Sequence, residues 1–240
     1  MRKHGLRAFG LSFLALSALM AFMAVGAQAN WLILSGGGTV ETTAKVAAAA
    51  HTPGVLLIPA KNLEIECTTV TSEGITLAEK STLATGKVAF SGCTTYSTAE
   101  SKLTLASKCK PTNAEGKIKA GGVAHLLLHE GQNYVLLEPE TGKPFTTIEF
   151  GPECALTETS TVKGSIVAEC GHLKSETEKV FVHDNCATHQ VNGLLQQVPG
   201  TTLFPNDKLI YGLNSAASVD GLALVSLEAP FLNASWGGHV

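Results

Sequence analysis

Six cysteines on an alternating sequence rich in Thr, Ser and Gly place the strongest constraint on how this chain can fold. They are Cys67, Cys93, Cys109, Cys154, Cys170 and Cys186. All six follow a segment that has the pattern of an export leader. An even set of cysteines in an exported chain is typical of a disulfide framework. The pattern therefore predicts a β-rich protein stapled by disulfides.

The N-terminal segment has the three parts of a cleavable signal peptide. Its basic residues are Arg2, Lys3 and Arg7, an apolar run follows at 9–25, and Ala27-Gln28-Ala29 is a small-x-small site. The apolar run is shorter than the ~20 residues that a spanning helix needs. We expect a signal peptide at 1–29, a mature β domain at 30–240, and no transmembrane helix after cleavage. The expected location is secreted, periplasmic or at the cell surface.

Charge argues against a nucleic-acid partner. The leader carries three of the 17 basic residues and none of the 20 acidic ones, so the net charge of −3 becomes about −6 in the mature chain. Every basic residue after Arg7 is a lysine. Arginine is the usual bidentate clamp for phosphate, and nucleic-acid affinity depends on neutralising phosphates. We expect no nucleic-acid binding.

Period-two alternation of apolar residues is the dominant secondary-structure signal. It predicts strands at 63–67, 87–90, 102–109, 146–150 and 165–170. Short apolar runs predict more fully buried strands at 54–58, 125–129 and 134–138. Turn chemistry between them is predicted at Glu73-Gly74, Thr85-Gly86, Glu115-Gly116, Glu130-Gly131, Thr141-Gly142, Asn192-Gly193, Pro199-Gly200 and Asp220-Gly221. The expected fold class is all-β, with antiparallel sandwich or barrel-like sheets.

Two features of the chain are ambiguous in sequence. The alanine-rich segment 40–51 has the composition of one short helix. The phrases STLATGKVAFSGC (81–93) and STVKGSIVAEC (160–170) are near-copies that each end in a cysteine. They suggest two related β units at 55–120 and 140–235, although chance similarity between Thr/Ser-rich strands is an alternative.

Sequence alone does not choose the disulfide connectivity. Hairpin geometry favours Cys67–Cys93 and Cys154–Cys170, which leaves Cys109 with Cys186. A competing set contains Cys93–Cys109, with Cys67 paired elsewhere.

The candidate metal ligands are four histidines. His125 and His129 flank a Leu triplet, and His183 and His189 flank Cys186. His183-x-x-Cys186-x-x-His189 is a metal pattern only if Cys186 is a thiolate. Oxidised cysteines and strand-end histidines explain both groups more simply, so we expect no metal site and no cofactor.

No catalytic constellation is legible. The chain lacks a G-x-S-x-G elbow and a protease-type Cys-His pattern. Trp31 and Trp236 lie near the mature ends, where they could pair, offer a surface for glycan stacking, or pack in the core.

Most of the mature chain resembles a family of uncharacterised secreted bacterial proteins. The likeness lies in Asn30-Trp31, LEIEC (63–67), VAFSGCTT (88–95), Cys109-Lys110-Pro111, HLLLHEG (125–131), the TIEFGPEC stretch (147–154), GSIVAEC (164–170) and SWGGHV (235–240). The resemblance implies export and no specific activity. The short Cys…Phe-Ser-Gly…Cys course is similar to the secreted protein activator of alkane oxidation, which implies an extracellular, surface-active or assembly role.

The first functional hypothesis is an exported, non-enzymatic structural or interaction protein of the envelope or extracellular space, with self-association or an envelope partner. The second is a module that binds a small molecule, lipid or glycan in an apolar pocket. The third is a secreted hydrolase or metal-dependent enzyme built on the four histidines. A binding module predicts an apolar cavity, whereas a structural module predicts a filled core and an adhesive edge strand.

Overall fold

The computed structural model describes residues 27–28, 30–35, 38–39, 42–78, 81–129, 132–156, 159–173, 181–189, 209–213, 215–232 and 234–239. Most of the predicted leader lies outside these ranges. So do the turns predicted at Glu130-Gly131, Asn192-Gly193 and Pro199-Gly200.

The described residues are almost entirely β-structure, and every strand pairing among them is antiparallel, which confirms the predicted fold class. The strands are β1 Ala27–Gln28, β2 Asn30–Ser35, β3 Gly38–Thr39, β4 Thr43–Ala50, β5 Gly54–Ile58, β6 Leu63–Ala78, β7 Leu83–Ser97, β8 Thr104–Leu105, β9 Lys117–His129, β10 Gln132–Pro139, β11 Thr146–Glu149, β12 Thr159–Gly164, β13 Ile166–Leu173, β14 Phe181–His189, β15 Leu209–Tyr211, β16 Ser215–Leu227 and β17 Ser235–His239. Short 3-10 turns span Pro59–Lys61, Ala99–Ser101, Ser107–Cys109 and Ala114–Gly116.

Two sequence predictions of secondary structure are wrong. The alanine-rich segment forms strand β4, because β6 and β16 pair with it on both sides and this pairing outweighs the helix propensity of alanine. Segment 102–109 is extended only at Thr104–Leu105 and ends in a 3-10 turn. This short strand pairs only with the end of β7, at the margin of the sheet, and Leu103 and Leu105 are exposed.

The main sheet closes into a barrel of eight strands, here called ring 1. Around the ring, β4 pairs with β6, then β7, β9, β10, β13, β14 and β16 follow, and β16 pairs with β4. Neighbouring strands of the ring follow one another along the chain. The exceptions are the intervening strands β5, β8, β11, β12 and β15, which are not members of ring 1. This is an up-and-down meander, which leaves no open edge.

A second ring of eight strands, ring 2, continues the barrel at one end of ring 1. The long strands β6, β7, β9 and β16 run through both rings, while β5, β11, β12 and β15 occupy the other four places. Each ring therefore takes strands from both predicted units, 55–120 and 140–235. Whether those units arose by duplication stays a prediction.

The two rings meet at a level we call the waist, where several strands break or bend. At this level β4 ends before β5 begins, β10 ends before β11 begins, and β12 ends before β13 begins. Strand β6 continues through the waist, with a register shift between Glu73 and Thr76. The turns predicted at Glu73-Gly74, Thr85-Gly86 and Asp220-Gly221 are wrong, because these pairs lie inside β6, β7 and β16. Glu115-Gly116 and Thr141-Gly142 do form turns, as predicted.

Both ends of the barrel are covered. At the ring 1 end, a small sheet of β17, β2 and β3 buries Trp31, Ile33 and Trp236 against the barrel core. At the ring 2 end, Phe150 and Cys154 pack onto the core from the connection after β11. The pairing of β2 with β17 brings the two tryptophans together, with ring centroids 5.6 Å apart. They therefore pair and pack in the core, as two of the three predicted alternatives have it.

Two disulfides fasten ring 2. Cys67–Cys93 joins directly opposite residues of β6 and β7, as predicted. Cys109 bonds to Cys154 and ties the connection after β7 to the connection after β11. The predicted pairs Cys154–Cys170 and Cys109–Cys186 are therefore wrong. Sequence could not foresee this, because residues 112–113 align beside β11 only in the folded sheet.

Candidate functional site

The waist of the barrel encloses a cavity of about 200 Å³ between two packed cores. Trp31, Leu77 and Trp236 of the ring 1 core bound it on one side. Ala120, Phe145 and Ile166 of the ring 2 core bound it on the other. Phe90 separates it from a smaller cavity of about 50 Å³ inside ring 2, since its side chain lies at the wall of both.

Small inward-facing residues create this cavity. Alternate positions along three of the long strands line it, and they are almost all Gly, Ala or Val: Ala84-x-Gly86-x-Val88 on β7, Ala120-x-Gly122-x-Ala124 on β9, and Val219-x-Gly221-x-Ala223 on β16. An eight-stranded barrel is just wide enough for inward side chains to fill it or for one small ligand. Where three strands carry small residues at the same level, a space remains.

This period-two pattern of small residues is a signal that the sequence interpretation missed. Gly86 and Gly221 were assigned to turns, and Gly122 was not singled out. Small residues such as Ala and Gly at every second position, in phase with the apolar face, indicate a cavity inside the barrel. Such a pattern is compatible with strand pairing but leaves little side-chain volume on the inner face.

The described residues at the wall of the cavity are almost wholly apolar. Among the described residues that line it, none is Lys, Arg or His, and the acidic ones are Glu138 and Asp220. Asp220 is exposed and alternates with the inward-facing Val219 and Gly221. The Glu138 side chain is 3.0 Å from His125 on the outer face. The Asp220 residue therefore lies at the rim of the cavity, whereas the Glu138 carboxylate lies on the outer face beside His125.

The cavity reaches the surface at the break between β4 and β5. Thr52 lies in that break and is exposed, yet it lines the cavity. Asp220 pairs with Val55 directly beyond the break and is exposed as well. A Cβ on Gly221 would lie 3.3 Å from the Gly54 Cα, so the two backbones approach closely at this point. We call this opening the side mouth.

A second concave region, of about 420 Å³, lies on the outer face of the barrel and is polar. Its lysines include Lys87, Lys117, Lys119 and Lys143. The Lys119 ammonium is 3.2 Å from Glu73 and 3.5 Å from Glu115, and the bond to Glu73 is the main cause that raises the pKa of Lys119. Lys143 pairs with Glu140 and lowers the pKa of that carboxyl. Lysines and glutamates balance here, which is typical of a solvated face.

The four candidate histidines lie on two separate strands. His125 and His129 are on β9, and His183 and His189 are on β14, with β10 and β13 between them. Adjacent strands lie ~4.8 Å apart, so the two pairs are separated by roughly 14 Å around the sheet. The Nε2 of His125 contacts Glu138 instead. In the described ranges, no three His, Cys, Asp or Glu side chains form a group that could hold a metal ion.

The remaining shifted groups lie away from the cavity. The pKa of Glu64, on the outer face of β6, is raised first by partial burial and then by the neighbouring Glu66. Burial in the ring 2 core raises the pKa of Tyr211, while the Ser160 hydroxyl acts in the opposite direction. Neither arrangement resembles an activated acid–base pair in a cleft.

The described part of the chain has no helix with the length and apolar character of a membrane span. Comparison of the sequence with protein-family models and with curated proteins, and of the structure with solved structures, finds no match.

Proposed function

We propose that the mature protein is an exported, non-enzymatic binding module that holds a small apolar molecule in the cavity at the barrel waist. The observation that carries the proposal is the cavity itself: a closed barrel with two packed cores leaves an apolar space exactly where small residues replace large ones. Protein interiors are otherwise close-packed, so a space of this size is unusual.

The size and the chemistry of the space agree with a ligand of this kind. An engineered apolar cavity of about 150 Å³ stays free of water and binds benzene. The waist cavity is larger, at about 200 Å³, and its described lining is also predominantly apolar. Apolar surface moved from water into such a site gains about 25 cal/mol per Å². A compact hydrocarbon skeleton of one to three fused or bridged rings matches this volume.

The same geometry gives less support to the other two hypotheses. A structural module needs an adhesive edge strand, whereas both rings of the barrel close on themselves. An enzyme built on the four histidines needs them to converge, whereas β10 and β13 lie between the strands that carry them.

Neighbouring alanines on β4 offer a matched test. Ala48 lines the cavity, and Ala49 on the same strand is exposed on the outer face. We expect 1-adamantanol, a compact cage alcohol, to change the fluorescence of the purified mature protein saturably, since the chain's two tryptophans both line the cavity. Ala48→Leu fills the space and should weaken binding by at least about tenfold, equal to ~1.4 kcal/mol. Ala49→Leu should bind as the native protein does.

Calorimetry on the same proteins provides a readout that does not depend on tryptophan. The proposal fails if the folded native protein does not bind 1-adamantanol, or if Ala48→Leu and Ala49→Leu bind it equally well. Circular dichroism of each variant separates loss of binding from loss of the fold.

A further inference from the structure

We infer that the ligand of the waist cavity is both uncharged and compact, which excludes fatty-acid-like molecules. This inference rests on the proposed binding function and names the chemical class that the site accepts. It follows from two independent observations: the charge of the cavity wall and rim, and the closure of the cavity at both ends.

The wall offers nothing that could neutralise an anion. None of the described lining residues carries a positive charge, and the residues that alternate inward are Gly, Ala, Val and other apolar types. A carboxylate moved from water into such a site loses its hydration and meets no cationic group among the described residues, which is strongly unfavourable. The head group of a fatty acid therefore has no place inside.

The rim strengthens this selection. Asp220 lies at the side mouth, on β16 opposite Val55 of β5. The mature chain also carries a net charge of about −6. An anion approaching the cavity meets like charge, at short range from the rim and at longer range from the whole protein.

The length of the cavity excludes long chains. Trp31 and Trp236 close it toward the ring 1 end, where both are almost fully buried. Phe90 and Phe145 close it toward the ring 2 end, and among the described residues a space of about 50 Å³ lies beyond them. An extended chain would have to displace one of these packed cores, so the site favours a rounded skeleton over a linear one.

Three probes test both parts of the inference on the purified mature protein. 1-Adamantanol is neutral and compact, 1-adamantanecarboxylate has the same cage with a negative charge, and 1-dodecanol is neutral but linear. By calorimetry at neutral pH, we expect the carboxylate to bind at least about 100-fold more weakly than the alcohol, because its charge is desolvated without a partner. Dodecanol has more apolar surface, yet we expect it to bind more weakly than 1-adamantanol.

The outcomes distinguish this inference from the proposed function. Carboxylate binding within tenfold of the alcohol would overturn the requirement for a neutral ligand. Dodecanol binding more tightly than 1-adamantanol would overturn compactness. In either case a cavity that binds remains, provided that Ala48→Leu weakens the binding and Ala49→Leu does not. If none of the three probes binds to the folded protein, the proposed function and this inference fail together.

Discussion

Gly122 shows how a single residue shapes the waist. A Cβ built on Gly122 would lie 1.7 Å from the carbonyl oxygen of Glu138 and 2.7 Å from its carbonyl carbon. These are backbone atoms of β10, next to the point where that strand ends at Pro139. Only glycine lets β9 and β10 approach this closely, so the bend that opens the cavity depends on the absence of a side chain.

Substituting Gly122 by alanine should therefore destabilise the protein by about 2 kcal/mol or more, because the backbone of β10 must move. Gly121 is the matched control. At that position the nearest atom to an added Cβ is the Lys87 Cγ at 2.9 Å, which belongs to a flexible side chain. Gly121→Ala should cost about 0.5 kcal/mol or less. Urea unfolding of both variants measures the difference, and equal losses would contradict this account of the waist.

At the scale of elements, strand register decides which cysteines can meet. Cys67 and Cys93 lie directly opposite each other on β6 and β7, and they are bonded. Cys170 and Cys186 have the same register relation on β13 and β14. The other two cysteines, Cys109 and Cys154, are already bonded to each other. Register and elimination together predict a third disulfide, Cys170–Cys186.

Peptide mapping of the non-reduced protein tests this prediction. Lys174 and Lys179 lie between Cys170 and Cys186 in sequence, so trypsin places the two cysteines on separate peptides. We expect a linked pair that contains Cys170 and Cys186, and no thiol that alkylates after unfolding. Two free thiols, or a peptide that links Cys186 to Cys109, would disprove the pairing.

At the scale of the whole molecule, the two rings form one cooperative unit. β6, β7, β9 and β16 each pair with neighbours in both rings, so neither ring keeps its hydrogen bonds if the other opens. The small sheet joins segments that are distant in sequence, because β17 at 235–239 pairs with β2 at 30–35. The backbone N–H of Trp31 also donates to the Ser81 carbonyl before β7.

Thermal unfolding should accordingly show a single transition, with equal calorimetric and van't Hoff enthalpies. The double variant Cys67→Ser/Cys93→Ser should keep the single transition and lose about 2–4 kcal/mol. For a chain of this size, that loss lowers the Tm by roughly 5–15 °C. Two separate transitions in the native protein would contradict the shared-strand architecture.

Some parts of this structure could be predicted from the sequence because they depend on local periodicity. Alternation at 63–67 and the apolar run at 134–138 indicate strands, and the inward phase of Leu63, Ile65 and Cys67 indicates a buried disulfide. Chain-local hairpin geometry was sufficient for Cys67–Cys93. It was insufficient for Cys109–Cys154, whose partners meet only when the connection after β7 aligns beside β11.

The sequence by itself determined the class of the protein: antiparallel β-structure, alternating faces and an even set of cysteines. Only the tertiary structure decided that the strands close into two continuous rings and that a cavity remains at their waist. The physical reason is that glycine has the same local chemistry in a turn and inside a strand. Whether Gly86 and Gly221 lie in turns or line a cavity from within strands depends on pairing with strands that are distant in sequence.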